Sequence, residues 1–189
     1  MVKRKRIFKC IICNEFSLEV ICKNCEKELL RPTVNIKDGI LSFYNYEEIE
    51  FLIKYKYHRF GHRVFKILAK PFYHFAKEIR ESFFIIPIDD NPKKAFSHTA
   101  ILANNMKSRY LTVLFNSLLA TNNVKYAGKT LEFRLNNPKN FIYKGKKNID
   151  AILVDDVVTT KTTLNQAKNV LKKDNVNVVL SIVLANLSK

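Results

Sequence analysis

No apolar run in this 189-residue chain reaches the roughly 18 to 20 residues that a membrane-crossing helix needs. The longest candidate, Val176 to Leu187, is interrupted by Asn and Ser and reads as a buried strand with its flanks. An apolar signal segment is lacking too: Met1 to Lys9 reads Met-Val-Lys-Arg-Lys-Arg-Ile-Phe-Lys, which disfavours export and the disulfides that export permits. The expectation is a soluble, cytoplasmic protein. Glycine is scarce, at four residues, and tryptophan is absent, but neither points to a function. No internal repeat or low-complexity linker is visible. Acid is short as well, since 17 Asp and Glu face 33 Lys and Arg, for a formal charge of +16. Such an excess raises on-rate and affinity for polyanions without naming one. Nucleic acid is the leading macromolecular candidate, a small polyanion would be drawn to the same field, and a generally Lys-rich proteome would give the same count. The composition, 47% hydrophobic and 26% charged, suits one good core plus a small module.

All four cysteines lie in one stretch, as Cys10-Ile11-Ile12-Cys13 and then Cys22-Lys23-Asn24-Cys25. Two such pairs suit tetrahedral Zn²⁺, which takes soft thiolates and closes a module with too few apolar residues to fold by itself. Four protein ligands would leave no open position, so the site is expected to be structural. Two disulfides and a redox Cys-X-X-Cys are the competing readings. A bound zinc would lower the net charge to about +14, because four thiolates and one dication add −2. Pro32 marks a plausible boundary, dividing a cysteine module over residues 1–31 from a second domain over residues 32–189.

The apolar run Ala151-Ile152-Leu153-Val154 leads directly into Asp155-Asp156-Val157-Val158-Thr159-Thr160-Lys161-Thr162-Thr163. A buried parallel strand would carry the two carboxylates to the carboxyl edge of a sheet, where open α/β folds place their ligands. If Thr162 or Thr163 begins the helix suggested by Leu164, Ala167, Val170 and Leu171, free N–H groups and the helix dipole face an incoming phosphate. The carboxylates suit hydroxyls rather than phosphate, so the pattern suggests a ligand that is both sugar and phosphate. A strand ending in an Asp-rich turn with a Thr cap, and no ligand, is the plain structural alternative.

Elsewhere, Asp38-Gly39 reads as a tight turn between short strands, and Glu47 to Ile53 as a short helix. Apolar spacings of three and four predict a helix over His62 to Ile79, kinked or divided by Pro71. Phe83 to Ile88, Tyr110 to Phe115, Asp150 to Val154 and Val176 to Val183 read as strands, with helices over Ala100 to Met106, after the candidate cap Ser97, and over Thr162 to Asp174. Strand, helix, strand in that order requires a crossover and hence a parallel sheet.

The acidic, Thr-rich segment resembles the phosphoribosyl pyrophosphate (PRPP) loop of type I phosphoribosyltransferases. Joined to an amino-terminal four-Cys module, it resembles the ComF family of competence-associated proteins. Other segments agree with that family. Leu52-Ile53-Lys54-Tyr55-Lys56-Tyr57 fits its hydrophobic-Lys-aromatic segment, with Lys56 favoured over Lys54 as the matching lysine. Ile85-Ile86-Pro87-Ile88 followed by Lys93-Lys94-Ala95-Phe96-Ser97-His98 fits its apolar-Pro-apolar and Gly-Phe-Asn-Gln segments, with Ala95, Ser97 and His98 departing from the pattern. Arg134, Asn136, Asn137 and Phe141 match its Arg, Asn and aromatic positions to within one residue. The resemblance implies an α/β fold, a type I phosphoribosyltransferase-like parallel sheet flanked by helices and preceded by a small zinc-binding module. It implies a PRPP site at Asp155 to Thr163 and Lys56, with Mg²⁺ bridging ribose hydroxyl and pyrophosphate oxygens. Lys161 stands where relatives usually place Gly, and would add charge over the phosphate or obstruct it.

Residues 54–66 carry five Lys or Arg and four aromatics without an acid. Lys54, Tyr55, Tyr57, Arg59, Arg63 and Lys66 could hold single-stranded DNA, cations on phosphates and rings on bases, unless the rings turn inward to the core. Two functional classes follow. One is a PRPP-binding protein that handles single-stranded DNA during natural transformation, with other competence proteins of the DNA uptake machinery as partners. The other is a Mg²⁺-dependent transferase moving ribose 5-phosphate from PRPP to an acceptor, with Lys56 steadying the departing pyrophosphate. No acceptor pocket or general base is legible in the residues, and a sugar-phosphate site does not require turnover, which favours the first class.

Overall fold

The computed structural model describes residues 7–89, 97–122 and 130–187. Lys93, Lys94, Ala95 and Phe96 of the expected ligand segment lie outside the described residues, as does the side chain of Arg134. Strands β1 (Phe8–Lys9) and β2 (Phe16–Ser17) form an antiparallel hairpin, and helix α1 (Lys23–Leu29) follows with Cys22 as its N-cap. Strands β3 (Asn35–Lys37) and β4 (Ile40–Asn45) pair around Asp38 and Gly39, whose φ values of 52° and 69° give the doubly left-handed turn expected of Asp-Gly. Helix α2 (Tyr46–Ile53) runs into a 3-10 turn, Lys54–Tyr57.

The expected helix over His62 to Ile79 is two helices, α3 (Gly61–Leu68) and α4 (Lys70–Glu78). Pro71 sits in the first turn of α4, where its missing N–H has no intrahelical partner to lose, so the break falls just before it. Then come β5 (Phe83–Pro87), α5 (His98–Asn104) and β6 (Leu111–Val113). The Ser97 hydroxyl caps α5 by accepting the Ala100 N–H at 3.0 Å. Helix α5 thus starts and stops two residues before the expected Ala100 to Met106. Strands β7 (Leu118–Ala120) and β8 (Phe141–Tyr143) form an unforeseen antiparallel pair, with α6 (Leu131–Asn136) between them in sequence. The chain ends in β9 (Ile149–Val158), α7 (Thr162–Lys172) and β10 (Val176–Asn186).

Six strands form the central sheet in the order β3-β4-β10-β9-β5-β6, parallel throughout except for β3 against β4. Central β9 is covered on both faces, which is why it reads as a continuous apolar run. Ile152 and Val154 pack with Ile182 and Leu184 toward Leu52, Phe65 and Leu102, from α2, α3 and α5. Ala151 and Leu153 pack on the other side with Leu164, Ala167 and Leu171 of α7. Leu153 is fully buried, so Leu153→Ala would remove about 2–5 kcal/mol from a typical total of about 5–15. Strand β9 also outruns the expected Asp150 to Val154. Val157 and Val158 still pair with Ala185 and Asn186 of β10, whereas β5 stops at Pro87 opposite Val154. The acidic pair therefore rides on strand backbone past the end of β5. Among the described residues no helix is long and apolar enough to cross a membrane.

Candidate ligand and metal sites

The acidic pair divides between the two sides of the sheet. Asp155 lines a concavity with Val157, Val158, Thr159, Thr160, Lys161, Thr162, Thr163 and Leu164, on the side covered by α7. Asp156 turns the other way. Its Oδ2 accepts a 3.0 Å hydrogen bond from Lys56 Nζ and lies 3.2 Å from His98 Nε2. Both Asp residues are 7% exposed, but their electrostatics are opposite. Burial, reinforced by the Asp156 charge, pushes the Asp155 carboxyl well above the usual range. Burial would push Asp156 up too, but Lys56 and His98 more than offset it and hold that carboxyl well below. The surroundings of Asp156 therefore favour its ionised form and those of Asp155 disfavour it.

Past Val158 the chain turns into α7 at Lys161, the N-cap, which adopts the left-handed conformation with φ 56° and ψ −2°. Glycine takes that region freely and lysine does not, which gives a physical reason for the Gly found there in the resembling family. The Lys161 side chain, 31% exposed, reaches the β3–β4 turn. Its Nζ lies 2.5 Å from Asp38 Oδ2 in the β3–β4 turn, and this ammonium draws the Asp38 carboxyl below its ordinary pKa. The hydroxyls of Thr160 and Thr162 are 3.0 Å apart at the loop mouth. Helix α7 begins at Thr162, as expected, so its first N–H groups open toward the same concavity.

Three residues of this region were not assigned from sequence. His98 is the first residue of α5. Asp38 was read only as a turn former. Asp89 follows β5 and is buried, with Ser97 Oγ and Thr99 Oγ1 both donating to its Oδ1 and no partner on Oδ2, and burial raises its pKa. Period-two alternation along β9 was the available signal for the division of the acids, because neighbours on a strand face opposite sides.

In the basic aromatic stretch, Lys54 pairs with Glu50 at 3.1 Å and Lys56 with Asp156, so two of its cations are already engaged. Tyr55 and Phe60 pack against the apolar core, and Phe60 meets Phe8 edge-on at 6.1 Å. Tyr57 is exposed at 53%. The Arg59 guanidinium lies 5.4 Å from the Phe60 ring, and that of Arg63 lies 4.7 Å from Phe8. Lys66 is exposed.

The four cysteines converge with no disulfide among them, their sulfur atoms all within 4.8 Å of one another. Backbone N–H groups of Cys13, Cys22 and Ile12 outweigh burial at Cys10 and bring its thiol down to about 6. Burial and the neighbouring sulfurs push Cys25 up to about 12. Four thiolates this close repel one another, and a cation is what would let them all ionise. The group could hold a metal ion.

No family model matches the chain, and no curated protein matches it. Solved structures do. UMP synthase of Leishmania donovani is similar at 16% identity and TM-score 0.41, over 80% of this chain and 27% of its own. A hypoxanthine phosphoribosyltransferase of Staphylococcus aureus is similar at 14% identity and TM-score 0.40, over 66% of this chain and 63% of its own. Adenine phosphoribosyl transferase of Trypanosoma brucei, in complex with AMP, pyrophosphate, and ribose-5-phosphate, is similar at 11% and 0.42, over 96% of this chain and 86% of its own. The chain spans less than two thirds of the length of the first two. At such scores the likeness decides no function, which rests on this chain's own residues.

Proposed function

We propose that the chain binds PRPP with Mg²⁺ at the end of β9, and that it is a competence-associated protein of the ComF type that handles single-stranded DNA during natural transformation, in the cytoplasm. One observation carries the PRPP reading: Asp155 and the loop from Val157 to Thr163 line a single concavity that ends on the first turn of α7. A carboxylate acceptor at one end suits ribose hydroxyls, and N–H groups with Thr hydroxyls at the other suit the 5-phosphate. Asp155 and the Thr hydroxyls are hard oxygen donors of the kind Mg²⁺ takes, and the ion would neutralise pyrophosphate charge. The cysteine group suits Zn²⁺ by its all-sulfur donor set. DNA handling rests on the resemblance, on the charge of +16 and on the cations and ring of Tyr57, Arg59, Arg63 and Lys66.

A transferase is the second reading. Lys56 donates to Asp156 of the acidic pair, which supports a role for it as the cation that steadies departing pyrophosphate. Calorimetry with PRPP and Mg²⁺ tests the common part: the Asp155→Asn, Asp156→Asn double variant should lose at least about tenfold in affinity, the worth of one charged hydrogen bond. Undiminished affinity would refute the site. Pyrophosphate release in the presence of candidate acceptors and DNA separates transferase from binder.

A further inference from the structure

The hairpin of β1 and β2, whose loop carries Cys10 and Cys13, turns an apolar face to solvent. Phe8 pairs with Ser17 and Lys9 with Phe16, so the two pairs point to opposite sides of the ribbon. Phe8 goes inward, meeting Phe60 at 6.1 Å and packing against the apolar core. Lys9 and Phe16 go outward, with the Lys9 ammonium 5.8 Å from the Phe16 ring centroid. By the same two-residue period, Ile7 falls on the face with Lys9 and Leu18 on the face with Phe16. Ile7, Phe16 and Leu18 are 70%, 77% and 54% exposed, the first two more than any other large apolar side chain among the described residues. Apolar groups gathered on one solvent-facing side of a ribbon mark a contact surface.

We propose that this outer face binds single-stranded DNA, with Phe16 as the platform on which a base stacks, Ile7 and Leu18 as its apolar flanks, and Lys9 on the adjoining phosphate. The identity of the ligand rests on the DNA reading above, but the face lies outside the stretch 54–66 on which that reading drew. Charge selects the occupant. No acid occurs before Glu15, and Lys3-Arg4-Lys5-Arg6 leads in sequence directly into Ile7, so five of the first nine residues are cations. A basic partner would be repelled, a second copy of this chain at +16 included. A single strand supplies what the face lacks, flat rings strung on phosphates, and stacking tolerates any base. A duplex keeps its rings within its own stack and offers the face only phosphates. By contrast, in residues 54–66 Lys54 and Lys56 are engaged by acids, and Tyr55 and Phe60 by the core.

The chain has no tryptophan, so Phe16→Trp places a single indole reporter on the face. Its fluorescence should be quenched by an oligothymidylate and far less by a duplex of equal length. Phe16→Ala should lower oligothymidylate affinity about tenfold in filter binding, the effect of one stacked base, with the slope of log affinity against log salt unchanged. Lys9→Gln should instead reduce that slope by about 0.7, one phosphate contact. Both side chains are exposed, so these variants should keep the wild-type Tm. An indole that the oligothymidylate leaves unquenched, or a Phe16→Ala variant that binds it as tightly as wild type does, would overturn the face while leaving the DNA reading standing. Sedimentation showing a dimer that Phe16→Ala dissociates, with oligothymidylate affinity intact, would give the face to a second copy and overturn the proposal too. Failure of the wild-type protein to bind the oligothymidylate would end the DNA reading itself, and the proposal with it.

Discussion

Lys161 puts two opposing effects on one residue, and replacing it by Ala and by Gly separates them. Its left-handed backbone, φ 56°, costs a residue with a Cβ about 1–2 kcal/mol. Glycine escapes that penalty but loses about 0.4–1 kcal/mol through its freer unfolded chain. The pair with Asp38, whose side chains are 31% and 57% exposed, is screened by solvent and contributes little. Lys161→Ala keeps the strain and loses the pair, so it should destabilise only slightly. Lys161→Gly also loses the pair but relieves the strain, and should be about 1 kcal/mol more stable than the Ala variant, or about 2–4 °C in Tm for a chain of this size. Thermal and urea unfolding of both variants, with Asp38→Asn as the control for the pair alone, measure these differences. An Ala variant as stable as the Gly variant would refute the backbone account. Binding should move the other way. Leaving an exposed carboxylate costs the ammonium less than a charge-assisted bond to phosphate returns, about 1.5–3 kcal/mol, so Lys161→Gly should weaken PRPP binding about tenfold while stabilising the loop. Unchanged or tighter binding would mark Lys161 as an obstruction.

Three further outcomes are expected. Asp155 has a raised pKa, so its proton is held more tightly folded than unfolded and stability is withdrawn as pH rises above the ordinary carboxylate range, about 3.9. Asp155→Asn should therefore raise Tm at pH 7, by a margin that shrinks toward pH 4 in thermal scans; a lower Tm at pH 7 would contradict this. For single-stranded DNA, log affinity should fall linearly with log salt, by about 0.7 per phosphate neutralised, and a flat response in filter binding would remove DNA from the reading. Metal analysis of freshly purified protein should find one zinc per chain, and a content well below one with reduced thiols would end the zinc assignment.

Elements governed by local chemistry were legible in the sequence. The Asp38-Gly39 turn, the break before Pro71 and the start of α7 at Thr162 each follow from one or two residues whose backbone options are narrow. What escaped depends on partners distant in the chain. Strand β9 runs on through the acids because β10 is there to pair with it, and no residue within β9 announces that. The short β7–β8 pair is assembled from three-residue strands too brief to show a period. In the candidate site, the stretch Asp155 to Thr163 was legible as a unit because strand, acids and helix start adjoin in sequence. His98 and Asp38 were not, since each is defined by a contact across the fold. Alternation along a strand predicts that adjacent acids face opposite ways, and Asp155 and Asp156 do.

The cysteine module bears on the same site. Cys10, Val20, Ile21, Cys25 and Leu30 belong to one apolar cluster with Leu52, Phe65 and Leu102, and Tyr55 and Phe60 pack against it. Phe8 meets the Phe60 ring, and Glu26 of α1 pairs with Lys70 at the start of α4. The turn that carries Lys56 is thus wedged between the module and the sheet. Val158 and Leu164, which flank the loop from Thr159 to Thr163, belong to the other cluster, with α7. Metal removal by a chelator should loosen residues 8–31 first, because the thiol group closes that module, and should then spread to the Lys56 turn and α3, whose apolar partners are lost. Hydrogen exchange should quicken over residues 8–31 and 54–68 while β9 and α7 stay protected, with PRPP affinity falling by the share that Lys56 supplies. Exchange confined to residues 8–31, with PRPP affinity unchanged, would show that the module is an independent unit ending near Pro32.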